Sequence, residues 1–184
     1  LIPLKGLHLL LEVLQYVPAT AWQLTVLGSV ERDPVYVRQV RRHIAAKGWG
    51  EQVRLRGLLS QTEVGDCLAA SDVFAMPSCP EGYSIAYQEA LSHGLPVLAH
   101  AESDGADLIE HGVSGFHLHP QDLPSGAQYL QTLTTDRAML ARMSLAARTH
   151  FERLPTWEQS LAAAAEFLED LGTRRVLAPE GGRL

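Results

Sequence analysis

The chain has 184 residues, 46% hydrophobic and 20% charged, enough for one sizeable core and in favour of a single globular domain. A net charge of −6 argues against a surface built mainly for nucleic acid or for a strongly anionic membrane. The apolar runs are too short to cross a bilayer, and the opening LIPLKGLHLLLEVL has neither the basic segment nor the cleavage site of an export leader.

In chain order, Lys5 to Val17 is expected to be a helix with Leu7, Leu10, Leu11 and Leu14 on one face, ended by Pro18. Trp22 to Leu27 is a short apolar strand that closes at Gly28. Pro34 opens a helix reaching Lys47, with Val37, Val40 and Ile44 facing inward. Val53 to Leu58 is the next strand, and Ser60 with Glu63 forms a capping box for a helix ending near Ala70. Val73 to Met76 and Pro96 to Ala99 are strands, Asp104 to Glu110 a short helix, and Gly115 to Leu118 a last strand. Helices follow at about Leu123 to Leu133, Asp136 to Arg153 and Thr156 to Leu171, before a loose tail from Thr173. There is no internal repeat and no low-complexity segment.

Short apolar strands alternating with amphipathic helices define an α/β class: a doubly wound, Rossmann-like parallel sheet with helices on both faces. Ligands of such sheets bind at the carboxyl ends of the strands. The chain starts directly at a helix, whereas a doubly wound fold normally opens with a strand, so residues 1–172 are expected to be one domain lacking its first strand, with 173–184 as a flexible tail.

The richest stretch runs from Met76 to Pro96, MPSCPEGYSIAYQEALSHGLP. A strand leads through a Pro/Ser/Gly loop into a helix, with Glu81 at the helix mouth and Glu89 about two turns further on. The helix N-terminus presents unpaired N–H groups to an anion, while carboxylates accept hydrogen bonds from hydroxyls. Phosphate and polyol together describe a nucleotide sugar. Cys67 and Cys79 match no zinc or redox spacing and are expected to be reduced thiols. His117 and His119, two apart on a strand, have no third ligand nearby in sequence, so no metal site is assigned. His93, before Gly94, suits a helix C-terminus.

The pieces LKGLHLLLEVL, LTVLG, VRLRGLLS, LAASDVFAMPSCPEGYSIAYQEALSHGLPVLA and LIEHGVSGFHL, with the aromatic pair Phe151 and Trp157, stand in one order over nearly the whole chain. That order resembles the C-terminal, donor-binding half of the retaining GT-B glycosyltransferases of the group 1 family, also called family 4. The resemblance implies transfer of a sugar from a nucleoside diphosphate to a hydroxyl acceptor, with retention and without a metal or other cofactor. Lys5 is then the cation at the diphosphate, Glu89 the acceptor of ribose hydroxyls, and Glu81 the catalytic carboxylate beside the transferred sugar. The backbone of Gly82, Tyr83, Ser84 and Ile85 would face phosphates and sugar, and Gly57, Leu58 and Leu59 the nucleobase. Tyr83-Ser84 stands where relatives commonly carry Phe-Gly, and Asp107 where many carry a glutamate.

The implied partners are the nucleotide sugar and an N-terminal acceptor-binding domain, with no nucleic acid and no transmembrane segment; peripheral association of the full enzyme with a membrane fits. A cytoplasmic location is expected, and the chain by itself is expected to bind donor weakly and not to turn over. Two alternatives stay open: a non-catalytic nucleotide-sugar-binding module, and a nucleotide-sugar epimerase of the same architecture. The intact Glu81 and Glu89 pair favours the transferase.

Overall fold

The computed structural model describes residues 1–79 and 84–176. Two compact units divide the chain, Leu1–Glu152 and Arg153–Leu184. In the first, Pro3–Lys5 forms a 3-10 turn, followed by α1 (Leu7–Leu14), β1 (Leu24–Leu27), α2 (Pro34–Ala46), β2 (Val53–Gly57) and α3 (Gln61–Ala69). Next come β3 (Phe74–Ala75), α4 (Ile85–Ser92), β4 (Val97–His100), a 3-10 turn at Asp104–Leu108, β5 (Gly115–Leu118), α5 (Leu123–Thr135) and α6 (Arg137–Arg153). The second unit holds α7 (Trp157–Val176), started by a reciprocal pair in which the Thr156 N–H meets Gln159 Oε1 at 2.9 Å and the Gln159 N–H meets Thr156 Oγ1 at 3.2 Å.

Every strand pairing is parallel: β1 with β2, and β3–β4–β5 in that order. Leu24 lies opposite Val53, Phe74 opposite Val97, and Val97 opposite Gly115. With strands this short, each linked to the next through a helix, the carboxyl ends at Leu27, Gly57, Ala75, His100 and Leu118 become the places where loops can gather a ligand. All four residues of β4 are buried, as a central parallel strand covered on both faces requires.

The core explains the differences from the sequence expectation. Leu7, Leu10, Leu11 and Leu14 are buried, but so are Leu9 and Val13, because α1 also packs against α5. Gly126 of α5 lies where an added Cβ would fall 2.4 Å from Leu118 Cδ1 and 3.4 Å from Val13 Cγ2, so helix, helix and strand meet without space for a methyl group. Val37, Val40 and Ile44 face inward as expected, and Asp33 caps α2 by accepting the Tyr36 N–H. The first strand starts at Leu24 rather than Trp22, since Ala19–Ala21 turns as a 3-10 helix and Trp22 packs edge-on against Trp49 with 5.1 Å between ring centroids.

Lys5 is the last residue of the opening 3-10 turn instead of the first residue of α1. Gly6 separates the two at φ 71°, a left-handed conformation, and a Cβ there would stand 1.9 Å from the Pro77 carbonyl oxygen. The opening residues thereby lie against the segment after β3: the Cys79 N–H donates to the Leu4 carbonyl at 3.2 Å, and the terminal amine bonds the Ser29 carbonyl after β1. Gly48 has a similar φ of 69° with nothing near its missing Cβ, so it separates backbone strain from close approach. Urea denaturation should show Gly48→Ala costing about 1–2 kcal/mol and Gly6→Ala about 3–5 kcal/mol. Equal losses would mean that the Gly6–Pro77 approach does not constrain the fold.

Candidate functional site

The site is built from the junction of β3 and α4. Phe74 and Met76 donate backbone N–H groups to Pro96 and Leu98 carbonyls, which holds β3 in the sheet up to its last residue and just beyond. Tyr87, 0% exposed, donates its phenol O–H to the Met76 carbonyl at 2.7 Å, so the first turn of α4 is tied to the end of β3. Ser84 is the N-cap of α4 in extended conformation, and its carbonyl accepts the Tyr87 and Gln88 N–H groups. The first N–H groups of the helix have no intrahelical acceptor, and this end carries the positive pole of the helix dipole.

The Ser84 side chain does not close that end. Its hydroxyl, in a residue 2% exposed, has no partner among the described residues, and neither does the hydroxyl of buried Ser78 just after β3. Two buried hydroxyls without partners among the described residues thus stand on either side of residues 80–83; buried polar atoms of His43, Gln52 and His150, elsewhere in the chain, likewise lack partners among those residues. Glu81, Gly82 and Tyr83 lie outside the described residues, so their expected roles have no structural counterpart here.

Glu89 lies a turn and a half beyond Ser84, half-buried on the wall of a cavity of about 490 Å³. Leu59, Gln61 and Val64 form one wall, from the end of the β2–α3 connection and the first turns of α3. Ile85, Gln88, Glu89 and Ser92 of α4 form another, and Phe151 near the end of α6 closes the third side. Leu58 is 77% exposed and Ile85, on the cavity wall, 68%. Gly57 ends β2 at φ 74°, turning the chain toward the cavity. Among the predicted residues, Leu59, Ile85 and Glu89 thus share one cavity. Lys5, half-buried, belongs instead to the turn that rests on residues 77–79.

Sequence reasoning missed Gln61, Gln88 and Ser92, and it noted Phe151 without giving it a place. Gln61 Nε2 donates to Glu89 Oε1 at 3.4 Å across 28 residues. Only the capping box pointed that way, since it makes Gln61 the first residue of α3. Phe151 is backed by the Arg148 guanidinium 5.9 Å from its ring centroid, and Arg148 bonds the Ser92 carbonyl and, at 2.9 Å, Glu152.

The histidines take structural places. His93 is the C-cap of α4 and its Nδ1–H donates to the Glu89 carbonyl at 3.0 Å. His117 Nε2 donates to the Ala106 and Ile109 carbonyls at 3.2 and 2.9 Å, fastening the 3-10 turn that carries exposed Asp107. Among the described residues no group of three His, Cys, Asp or Glu side chains is placed to hold a cation. Cys67 and Cys79 are free thiols. No described helix is long and apolar enough to cross a membrane.

Parallel sheets with helices on both faces and a helix N-terminus following β3 place the chain in the α/β, Rossmann-like fold class. The model of the family "Glycosyl transferases group 1" matches residues 1–150, and the chain belongs to that family. It is 27% identical over 172 residues to a D-inositol 3-phosphate glycosyltransferase of Xylanimonas cellulosilytica, covering 94% of this chain and 41% of that protein. A GDP-mannose-dependent monoacylated alpha-(1-6)-phosphatidylinositol monomannoside mannosyltransferase of Corynebacterium glutamicum is 31% identical over 167 residues, 86% of this chain and 42% of that protein. The crystal structure of Anabaena Alr3699/HepE in complex with UDP-glucose superposes with a TM-score of 0.78 at 25% identity, over 94% of this chain and 46% of that one. The chain thus spans about two fifths of the length of these curated relatives, and its fold is that of the C-terminal half of a GT-B glycosyltransferase.

His100, at the carboxyl end of β4, connects the site region to pH. It is 6% exposed, and its Nδ1 accepts the Glu102 N–H at 3.1 Å, so that nitrogen carries no proton. Burial pushes its pKa below the ordinary histidine range; the Glu102 carboxylate pulls the other way and His119 adds to the fall. The unfolded chain therefore binds the proton more readily, and stability drops as pH falls below about 6.5. The carboxyls of Glu63 and Asp122, lowered by their bonds to Ser60 and Ser125, lose their contribution in a separate window as pH falls below their ordinary values of 4.5 and 3.8. Thermal melts should show His100→Asn, which keeps an acceptor for the Glu102 N–H, flattening the decline between pH 7 and 5 while leaving the acid limb. An unchanged slope would remove His100 as its cause.

Proposed function

We propose that this chain is the donor-binding part of a retaining glycosyltransferase that takes a nucleoside diphosphate sugar. The observation that carries the reading is Glu89 on the wall of a cavity beside a helix N-terminus flanked by two unsatisfied buried hydroxyls. The nucleoside occupies the cavity, with its base against Leu59 and the loop from Gly57 and Leu58 and its ribose hydroxyls donating to Glu89. The diphosphate lies at the start of α4, where the N–H groups of Ser84 and Ile85 and the ammonium of Lys5 offset its charge. Two relatives support this donor class: the Corynebacterium glutamicum mannosyltransferase is GDP-mannose-dependent, and the Anabaena Alr3699/HepE structure is a complex with UDP-glucose.

In the reaction, the acceptor hydroxyl oxygen bonds to the anomeric carbon on the face that the leaving group departs from. The bond from that carbon to the diphosphate oxygen breaks, and the hydroxyl proton passes to the departing phosphate. Negative charge grows on the diphosphate, so donors and a cation fixed there stabilise the transition state more than the ground state. This arrangement needs no bound metal. Glu81 works beside the transferred sugar, and an N-terminal domain of the cytoplasmic full enzyme presents the acceptor. The chain alone binds donor without turning it over.

Calorimetry with UDP, GDP and ADP tests the reading. One of them should bind, and Glu89→Ala should weaken it about 10- to 100-fold, as loss of hydrogen bonds to a charged group implies, while pyrophosphate affinity stays unchanged. Absence of heat with all three nucleotides would sink the proposal.

A further inference from the structure

We propose that Gln61 is a positioning residue for Glu89 and so sets how strictly the site requires a ribonucleotide over a 2′-deoxyribonucleotide. The inference rests on the reading that Glu89 takes the ribose hydroxyls.

Gln61 is the first residue of α3, and its place is set from both sides of the cap. The Ser60 N–H donates to Glu63 Oε2 at 2.8 Å, the Ser60 hydroxyl donates to the same oxygen at 2.7 Å, and Ser60 Oγ accepts the Glu63 N–H at 3.4 Å. With both halves of the box formed, α3 cannot slip by a residue, and the Gln61 side chain starts from a defined point on the cavity rim. Its Nε2 lies 3.4 Å from Glu89 Oε1. A carboxylate only accepts, so the amide nitrogen must be the end that faces it, and the amide orientation follows from the chemistry.

Glu89 stands on an eight-residue helix, and a glutamate side chain on a helix surface samples several rotamers. The long bond from Gln61 selects among them without consuming the carboxylate: Oε1 retains a lone pair and Oε2 both of its own. The pair of oxygens is then directed into the cavity, where two neighbouring hydroxyls of a ribose can each donate to it. Phe151 on the third side is set independently, since Arg148 backs its ring and ties the Ser92 carbonyl. Altering Gln61 therefore changes the carboxylate's orientation and leaves the remaining walls in place.

The experiment is calorimetric titration of the chain with UDP and GDP, each beside its 2′-deoxy analogue, and with pyrophosphate. The native chain should bind the ribonucleotide more tightly, and Glu89→Ala should abolish that preference; if it does not, the reading of Glu89 is wrong and this proposal falls with it. Gln61→Leu should reduce the preference by about 3- to 10-fold, the range expected when a flexible side chain must be ordered by the ligand itself. Its affinity for the deoxy analogue should fall less than that for the ribonucleotide, since Gln61 also lines the cavity, and its affinity for pyrophosphate should remain as in the native chain. Gln61→Lys, which restores a donor to Glu89, should bring the preference back. An undiminished preference in Gln61→Leu, an equal loss toward all the ligands, or failure of Gln61→Lys to rescue would each overturn the positioning role. No binding by the native chain overturns the reading and the proposal together.

Discussion

The bond from the Tyr87 phenol to the Met76 carbonyl is the point from which the site is laid out. Burying a phenol is favourable for the ring and costly for the hydroxyl unless it finds an acceptor. Here the ring meets Phe74 edge-on at 6.3 Å between centroids, and the hydroxyl meets the carbonyl that ends the β3 pairing. One residue thereby sets the position of α4 relative to the sheet edge. Ser84 three positions earlier and Glu89 two positions later inherit their places from it.

Recognition in this site is local rather than a property of the whole surface. A chain with net charge −6 does not attract a diphosphate by its overall field. A local positive potential comes from the N-terminus of α4, whose first N–H groups lack intrahelical acceptors, while Gly6 brings the turn that carries Lys5 against the segment after β3. Glu89 lies more than a turn along α4 from that terminus, so in the proposed site its carboxylate faces hydroxyls rather than phosphate.

Much of this was legible in the residues. The Ser60–Glu63 box, the inward face of α2 and the succession of strands and helices along the chain follow from capping chemistry and periodicity, and the structure carries all three. The near-complete burial of α1 was not legible, because a helical pattern shows one apolar face and cannot reveal that α5 covers another. Nor could the separate 3-10 turn at Pro3–Lys5 be anticipated, since it depends on Gly6 passing under the Pro77 carbonyl, a contact between distant parts of the chain. The Gln61–Glu89 pair and the place of Phe151 are long-range for the same reason: each residue type is ordinary, and only packing gives it a neighbour.

Phe151 also orders events in time. The strand edge, α3 and α4 precede α6 in the chain, whereas the third wall of the cavity comes from near the end of α6. A nascent chain that folds as it lengthens thus possesses the N-terminus of α4 before it possesses the third side of the cavity. Between those moments it holds an open groove along α3 and α4 with exposed Ile85 and Leu58. Phe151 of α6, with Arg148 bonded to the Ser92 carbonyl, then adds the third side to that open groove.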